Sequence, residues 1–256
     1  MRYFIKLSYD GAAYCGWQRQ PDASTVQESV ERALTTLLRE PIEIVGAGRT
    51  DTGVNASYYV AHFDVQKPVE SCAQLSYKLN LILPQDISVF SVEPVRREAH
   101  ARFDAVQREY TYYISQRKNP FRRYSAWQYY VALDLEKMNQ AAQKLLEHED
   151  FTSFAKLNSN NKTNICHLTR ADWRRSDEDK DLLIFTIRAD RFLRNMIRAI
   201  VGTLVDVGRG RYTVEEFDEI IRSRDLSRSS AGAPAVGLFL SDVAYDESVY
   251  DLEQEN

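Results

Sequence analysis

Apolar positions along the chain follow two periods, and the switch from one to the other predicts the elements. Apolar-rich runs over 2–9, 42–48, 57–65 and 87–95 read as strands, while apolar residues three and four apart over 25–39 and 71–82 read as helices. The order is βαββαβ. It recurs in the second half as strands 105–116, 166–175, 182–190 and 237–245 with helices 135–147 and 193–207, plus an extra helix at 213–223. Each set fits the ferredoxin-like split βαβ arrangement, an antiparallel sheet with helices on one face. The fold class is therefore α+β, and the repeated order points to duplication.

Two helices show the spacing most clearly. Val26, Val30, Ala33, Leu34, Leu37 and Leu38 share one face of the first, and Thr25 with Glu28 supplies a capping-box pattern at its start. In the later helix Leu193, Met196, Ile197, Ile200, Val201, Leu204 and Val205 make an apolar stripe. Arg191, Arg194 and Arg198 recur along a neighbouring face, which predicts a helix anchoring a basic row. Gly208 and Gly210 follow the last apolar residue, where a left-handed cap favours glycine. No low-complexity linker parts the halves, and 98–103 is too mixed to act as a tether, so the two sheets are expected to join. The divisions are then 1–100 for the first half, 101–245 for the second with its basic helix, and 246–256 for an acidic tail.

Composition narrows the class. With 44% apolar and 11% aromatic residues in a chain of 256, a packed core is attainable and disorder is not indicated. Cys15, Cys72 and Cys166 are odd in number and widely spaced, which suits neither a disulfide framework nor a zinc site and fits a reducing cytoplasm. The first residues alternate like a strand instead of forming a signal peptide, and no apolar run approaches membrane-spanning length. A cytoplasmic protein without a membrane partner is expected.

A net charge of −4 argues against a nucleic-acid partner until its distribution is considered. The tail holds Asp246, Glu247, Asp251, Glu253 and Glu255 with no cation, and setting those five acids aside leaves +1 for the rest. Arginines and lysines gather in Arg96, Arg97, Arg102 and Arg108, in Arg117, Lys118, Arg122 and Arg123, and in Arg188, Arg191, Arg194 and Arg198. Either a local basic cleft or separately solvated charges would produce that pattern.

The stretch Val45-Gly46-Ala47-Gly48-Arg49-Thr50-Asp51-Thr52-Gly53-Val54 carries the candidate chemistry. An apolar strand ends there in glycines, which permit positive φ and close approach of another molecule, and a lone carboxylate, Asp51, follows. A hairpin whose Asp bonds its own backbone is the competing interpretation. His62, His100, His148 and His167 show no metal-ligand spacing, so no metal is expected. Asp51 lacks the second acid that a magnesium-dependent phosphoryl transfer would want, a Gly-x-x-x-x-Gly-Lys loop is missing, and no second carboxylate announces a glycosidase.

Several ordered blocks resemble the tRNA pseudouridine synthase A family over nearly the whole chain. Tyr9-Asp10-Gly11 through Tyr14, Gly16-Trp17-Gln18 and Gln20 is similar to the family's YDG..Y.GWQ.Q block, Ser24–Gln27 to its SVQ helix start, and Gly46–Val54 to its AGRTD.GVH loop. His100-Ala101-Arg102-Phe103, Arg108 with Tyr110 and Tyr112, Phe151–Phe154, Met196–Leu204 and Ala233–Leu238 resemble HARF, R.Y.Y, DFTSF, MVR.IVGTL and APA.GL. The resemblance implies two ferredoxin-like halves joined around a central cleft, a homodimer, no cofactor, and tRNA as partner, modified at anticodon-arm uridines 38 to 40. It assigns Asp51 as the catalytic aspartate, Arg198 as its partner, Tyr110 as the residue that stacks on the target base, and Arg49 as the one that holds the flipped nucleotide. A guanidinium beside an acid in a water-poor cleft favours the ionised form, which attack on uridine requires. From periodicity alone Tyr110 is an ordinary strand aromatic, and Tyr112 and Tyr113 compete with it. Asn55 departs from the family's histidine, which removes any titrating role at that position. The rival function is an RNA-binding or chaperone module that kept the fold and lost catalysis; a metal-free glycoside hydrolase releasing uracil is a third.

Overall fold

The computed structural model describes residues 1–156 and 162–252; the last residues of the predicted acidic tail lie outside that range. The chain has a mixed α/β fold and divides into two compact units, Met1–Gln107 with Leu240–Asn256, and Arg108–Phe239.

In the first unit β1 (Arg2–Tyr9), α1 (Val26–Leu38), β2 (Ile44–Gly46), β3 (Asn55–Asp64), α2 (Cys72–Ile82) and β4 (Ile87–Val95) follow the predicted order. β1 lies between β4 and β3, antiparallel to both, and β2 pairs with the Ala61–Phe63 end of β3. Tyr3, Phe4, Ile5 and Leu7 of β1 are all buried, because the central strand is covered on both faces. Phe4 meets the rings of Tyr245 and Tyr250 at 4.9 and 6.2 Å, so the carboxy-terminal segment supplies part of that cover. Thr25 caps α1 by accepting from the Glu28 N–H at 3.4 Å, the half of the capping box that starts the helix.

The second unit contains β5 (Ala105–Ser115) from Arg108 onward, β6 (Trp127–Gln128), α3 (Leu135–Lys144), β7 (Leu168–Arg175), β8 (Leu182–Ala189), α4 (Met196–Gly208), α5 (Val214–Ser223) and the first residues of β9 (Leu238–Tyr245). β8 pairs antiparallel with β5 on one side and β7 on the other. The predicted helix 135–147 ends its α-helical part at Lys144 and tightens into a 3₁₀ turn over Leu145–Glu147, a common way for a helix to finish.

α4 differs from its prediction in three ways. It begins at Met196, not 193, because Asn195 sits at φ 64 and the Met196 N–H closes a turn on the Leu193 carbonyl at 3.2 Å. Arg191 and Arg194 therefore precede the helix, and only Arg198 of the predicted basic row lies on it. Gly208 is the last helical residue, kept small because a Cβ there would meet Met138 Sδ at 2.5 Å, whereas Gly210 at φ +77 takes the left-handed position.

Candidate active site

The loop that follows β2 is braced from three directions within the first unit. Its Ala47 N–H returns to the Val60 carbonyl at 2.8 Å, and the Tyr59 hydroxyl bonds the Gly48 carbonyl. The Thr50 hydroxyl is buried between Tyr9 Oη at 2.9 Å and the Trp17 N–H at 3.1 Å. One residue on, Val54 N–H bonds the Asp51 carbonyl at 3.1 Å and Gly53 N–H reaches the Tyr14 carbonyl at 3.3 Å. Behind the loop Trp17 stacks on Tyr59 at 4.0 Å, with Tyr9 edge-on to Tyr59 at 5.6 Å. Asp51 is half-buried in this frame and Arg49 is exposed.

Close packing sets the glycine requirements. A Cβ on Gly16, which has φ +85, would stand 2.3 Å from the Thr50 carbonyl oxygen, so the amino-terminal block touches the aspartate loop backbone to backbone. Gly46 keeps an ordinary φ; what it admits is the protein's own Tyr59 hydroxyl and Trp17 ring, at 2.1 and 2.6 Å from a would-be Cβ. The sequence expectation of positive φ holds at Gly53 but not at Gly46 or Gly48. Asn55 is buried, and its Oδ1 accepts from the Gly11 N–H at 2.7 Å, a bond that carries the first block into register with the loop.

In the second unit the three tyrosines of β5 separate by environment. Tyr112 is fully buried with its hydroxyl donating to the Pro234 carbonyl at 2.7 Å, and burial pushes its phenol well above the usual range. Tyr113 packs edge-on against Phe239 at 5.2 Å. Tyr110 is half-buried, edge-on to Phe192 at 5.2 Å. Arg198 lies in the first turn of α4, where its Nε donates to the Ala233 carbonyl at 2.7 Å and its own carbonyl accepts from the Ala233 N–H at 2.9 Å. That reciprocal pair fixes the guanidinium relative to the Ala233–Leu238 segment. Arg49 and Asp51 thus share one loop of the first unit, and Tyr110 and Arg198 belong to the second.

Several predicted cations have structural partners. Arg96 pairs with Asp104 at 2.9 Å, Arg122 with Asp179 at 3.4 Å and Arg188 with Glu109 at 2.6 Å, so not all the clustered arginines are left for a ligand. The histidines are engaged as well: His62 Nδ1 accepts from the Ala101 N–H at 3.1 Å, His100 Nδ1 from Arg102 N–H at 3.1 Å, and His148 Nε2 lies 2.7 Å from Asp218. Among the described residues no group of three or more His, Cys, Asp or Glu side chains could hold a metal ion, and no helix is long and apolar enough to cross a membrane.

The family model described as tRNA pseudouridine synthase matches residues 6–104 and 141–246. The chain belongs to the tRNA pseudouridine synthase family. Proteins named tRNA pseudouridine synthase A from Bacteroides thetaiotaomicron and Parabacteroides distasonis are 51% and 49% identical to it; each alignment covers 98% of this chain, and 93% and 99% of the respective relative. One from Bacillus licheniformis is 38% identical over 96% of this chain and all of its own length. Within this tRNA pseudouridine synthase Arg49, Asp51 and Arg198 fall in the two matched stretches, and Tyr110 lies between them. Sequence reasoning did not find the roles of Tyr9, Gly16, Trp17, Asn55 and Tyr59, which hold the aspartate loop. The block that holds Tyr9, Gly16 and Trp17 was visible as a motif, but the contacts that hold the loop span 11 to 44 positions of chain.

Proposed function

We propose that this tRNA pseudouridine synthase works on uridines 38 to 40 of the anticodon arm, with Asp51 as its catalytic group. Isomerisation of uridine to pseudouridine in tRNA is the activity of the family to which the chain belongs. The observation that supports the assignment to Asp51 is the bracing of its loop by Tyr9, Trp17, Asn55 and Tyr59, since a reacting carboxylate needs a fixed position. In the reaction the C1′–N1 bond breaks, the uracil turns, and C5 joins C1′ while its proton leaves to solvent and N1 gains one. No atom is gained or lost, so no cofactor is required by the balance.

The other assignments follow from the same proposal. The target base must leave its stacked stem, at a cost of a few kcal/mol that stacking and hydrogen bonds offset. Tyr110, half-buried where Tyr112 is sealed, suits a base-stacking role and transfer of the C5 proton. Arg49, exposed beside Asp51, suits a hydrogen bond to the flipped nucleotide, and Arg198, fixed through Ala233, suits pairing with the aspartate. Two ferredoxin-like halves joined around a central cleft, a homodimer and a cytoplasmic location complete the proposal.

A tRNA transcript labelled with tritium at uridine C5 tests it. The expected result is tritium release together with pseudouridine at positions 38 to 40 and no free uracil in the digest. Binding of tRNA without release would identify an RNA-binding module instead, and free uracil would identify a hydrolase.

A further inference from the structure

We propose that the turn at 117–124 is a second tRNA contact, where Phe121 stacks on an unpaired base and Arg117, Lys118 and Arg123 meet the adjoining phosphates. This rests on tRNA being the substrate and adds a contact outside the residues assigned to the chemistry.

Charge and aromatic content single out the segment. The whole chain carries −4, yet between Gln116 and Leu133 there are four cations, five aromatics and no acid. Arg122 is engaged, its Nε 3.4 Å from Asp179; Arg117 and Lys118 are exposed, and so is Arg123, whose guanidinium donates to the Pro120 carbonyl at 3.1 Å within the turn. Alternating cations and aromatics suit a single-stranded nucleic acid, because every base has a face to stack and every nucleotide a phosphate.

The turn holds its aromatic out by construction. Pro120 opens a 3₁₀ turn whose Phe121 N–H donates to Asn119 Oδ1 at 3.0 Å, and the Asn119 N–H is itself held by Gln128 Oε1 at 3.1 Å. Ala126 closes the segment, buried against Leu182 and Ile184, with its N–H on the Arg122 carbonyl at 3.0 Å. Phe121 is 93% exposed on this tied backbone. A lone exposed apolar side chain is ordinary. Here, however, Tyr124 is exposed beside it with the Arg123 guanidinium 4.6 Å over its ring, so the surface offers both flat faces and positive charge.

Unpaired nucleotides fit this surface better than an RNA duplex or a second copy of the chain. An A-form helix keeps its bases stacked away from a side-chain ring. A two-fold contact between copies would set this acid-free turn against itself and bring like charges together.

The test uses the full-length protein and an unmodified tRNA transcript, with Kd measured against salt. Phe121→Ala is expected to raise Kd about tenfold or more without changing the salt slope, and Phe121→Trp to restore affinity. The triple variant Arg117→Ala, Lys118→Ala, Arg123→Ala is expected to lower the slope of log Kd on log salt by about 2. Tritium release at saturating tRNA should stay at the wild-type rate in all of them. Wild-type Kd and slope in these variants, with wild-type catalysis intact, would overturn the contact and leave the function standing. A Phe121→Ala change in sedimentation mass with unchanged tRNA affinity would overturn it in favour of a copy-to-copy contact. If the wild type neither binds nor modifies tRNA, the functional proposal fails and takes this one with it.

Discussion

At Asn55 one side-chain amide ties two sequence motifs together. Its Oδ1 takes the buried Gly11 N–H, so replacing it with alanine leaves a donor without an acceptor, at a cost of about 1–3 kcal/mol. Asn55→Ala is therefore expected to lower Tm by several degrees and to slow turnover more than it weakens tRNA binding; an unchanged melting curve would contradict the bracing role. The loop that carries Asp51 was legible in the sequence as the place where β2 ends, because an apolar strand breaking into glycines around a solitary acid is a local pattern. The side chains that hold it were not, since Tyr59 reads as an ordinary strand residue and Trp17 stands out only as part of a motif, with no sign of what it touches. Only their stacking at 4.0 Å behind the loop reveals what they support.

Among elements, α4 shows where periodicity succeeds and where it stops. Its apolar stripe marked a helix correctly, but all of Met196–Gly208 except Arg198 is buried, so the predicted basic face does not exist along it. Its start shifted because Asn195 takes a left-handed conformation that no apolar pattern encodes. Gly202 lies against the segment that fixes Arg198: a Cβ there would stand 2.2 Å from the Ala231 carbonyl oxygen. Gly202→Ala must displace the helix or that segment, at about 1–3 kcal/mol, and is expected to reduce both Tm and kcat. Wild-type values for both would show that the segment moves without consequence.

β3 carries a pH-dependent element of stability at His62. Burial, with Arg2 and His100 adding to it against Asp64 and Asp104, pushes its imidazole down to about 4, and the neutral Nδ1 accepts from Ala101 N–H. The unfolded chain binds that proton near its usual pKa of about 6.5, so the unfolded state holds more protons between the two values. His62 is thus expected to contribute stability above about pH 6.5 that is lost as pH falls towards 4. The Tm difference between wild type and His62→Gln, followed from pH 7 to 4, should shrink; a constant difference would contradict it.

For the molecule as a whole, the order of strands and helices along the chain was the legible feature, and β1 with β3 and β4, and β8 with β5 and β7, pair antiparallel. The return of Leu240 and the residues after it to the first unit was not, because no local sequence mark tells a closing strand which earlier strands it will join. Net charge misled for a related reason: it sums over the whole chain, and five of its acids lie in the carboxy-terminal tail. The proposed division of labour places the carboxylate and Arg49 on one unit, and Tyr110 and Arg198 on the other. Its most direct test is a single-turnover experiment with enzyme in excess over tRNA, comparing wild type with Asp51→Asn. The account predicts that pseudouridine formation falls about a thousandfold or more while tRNA affinity and Tm stay at wild-type values. Product formed by Asp51→Asn at the wild-type rate would contradict it.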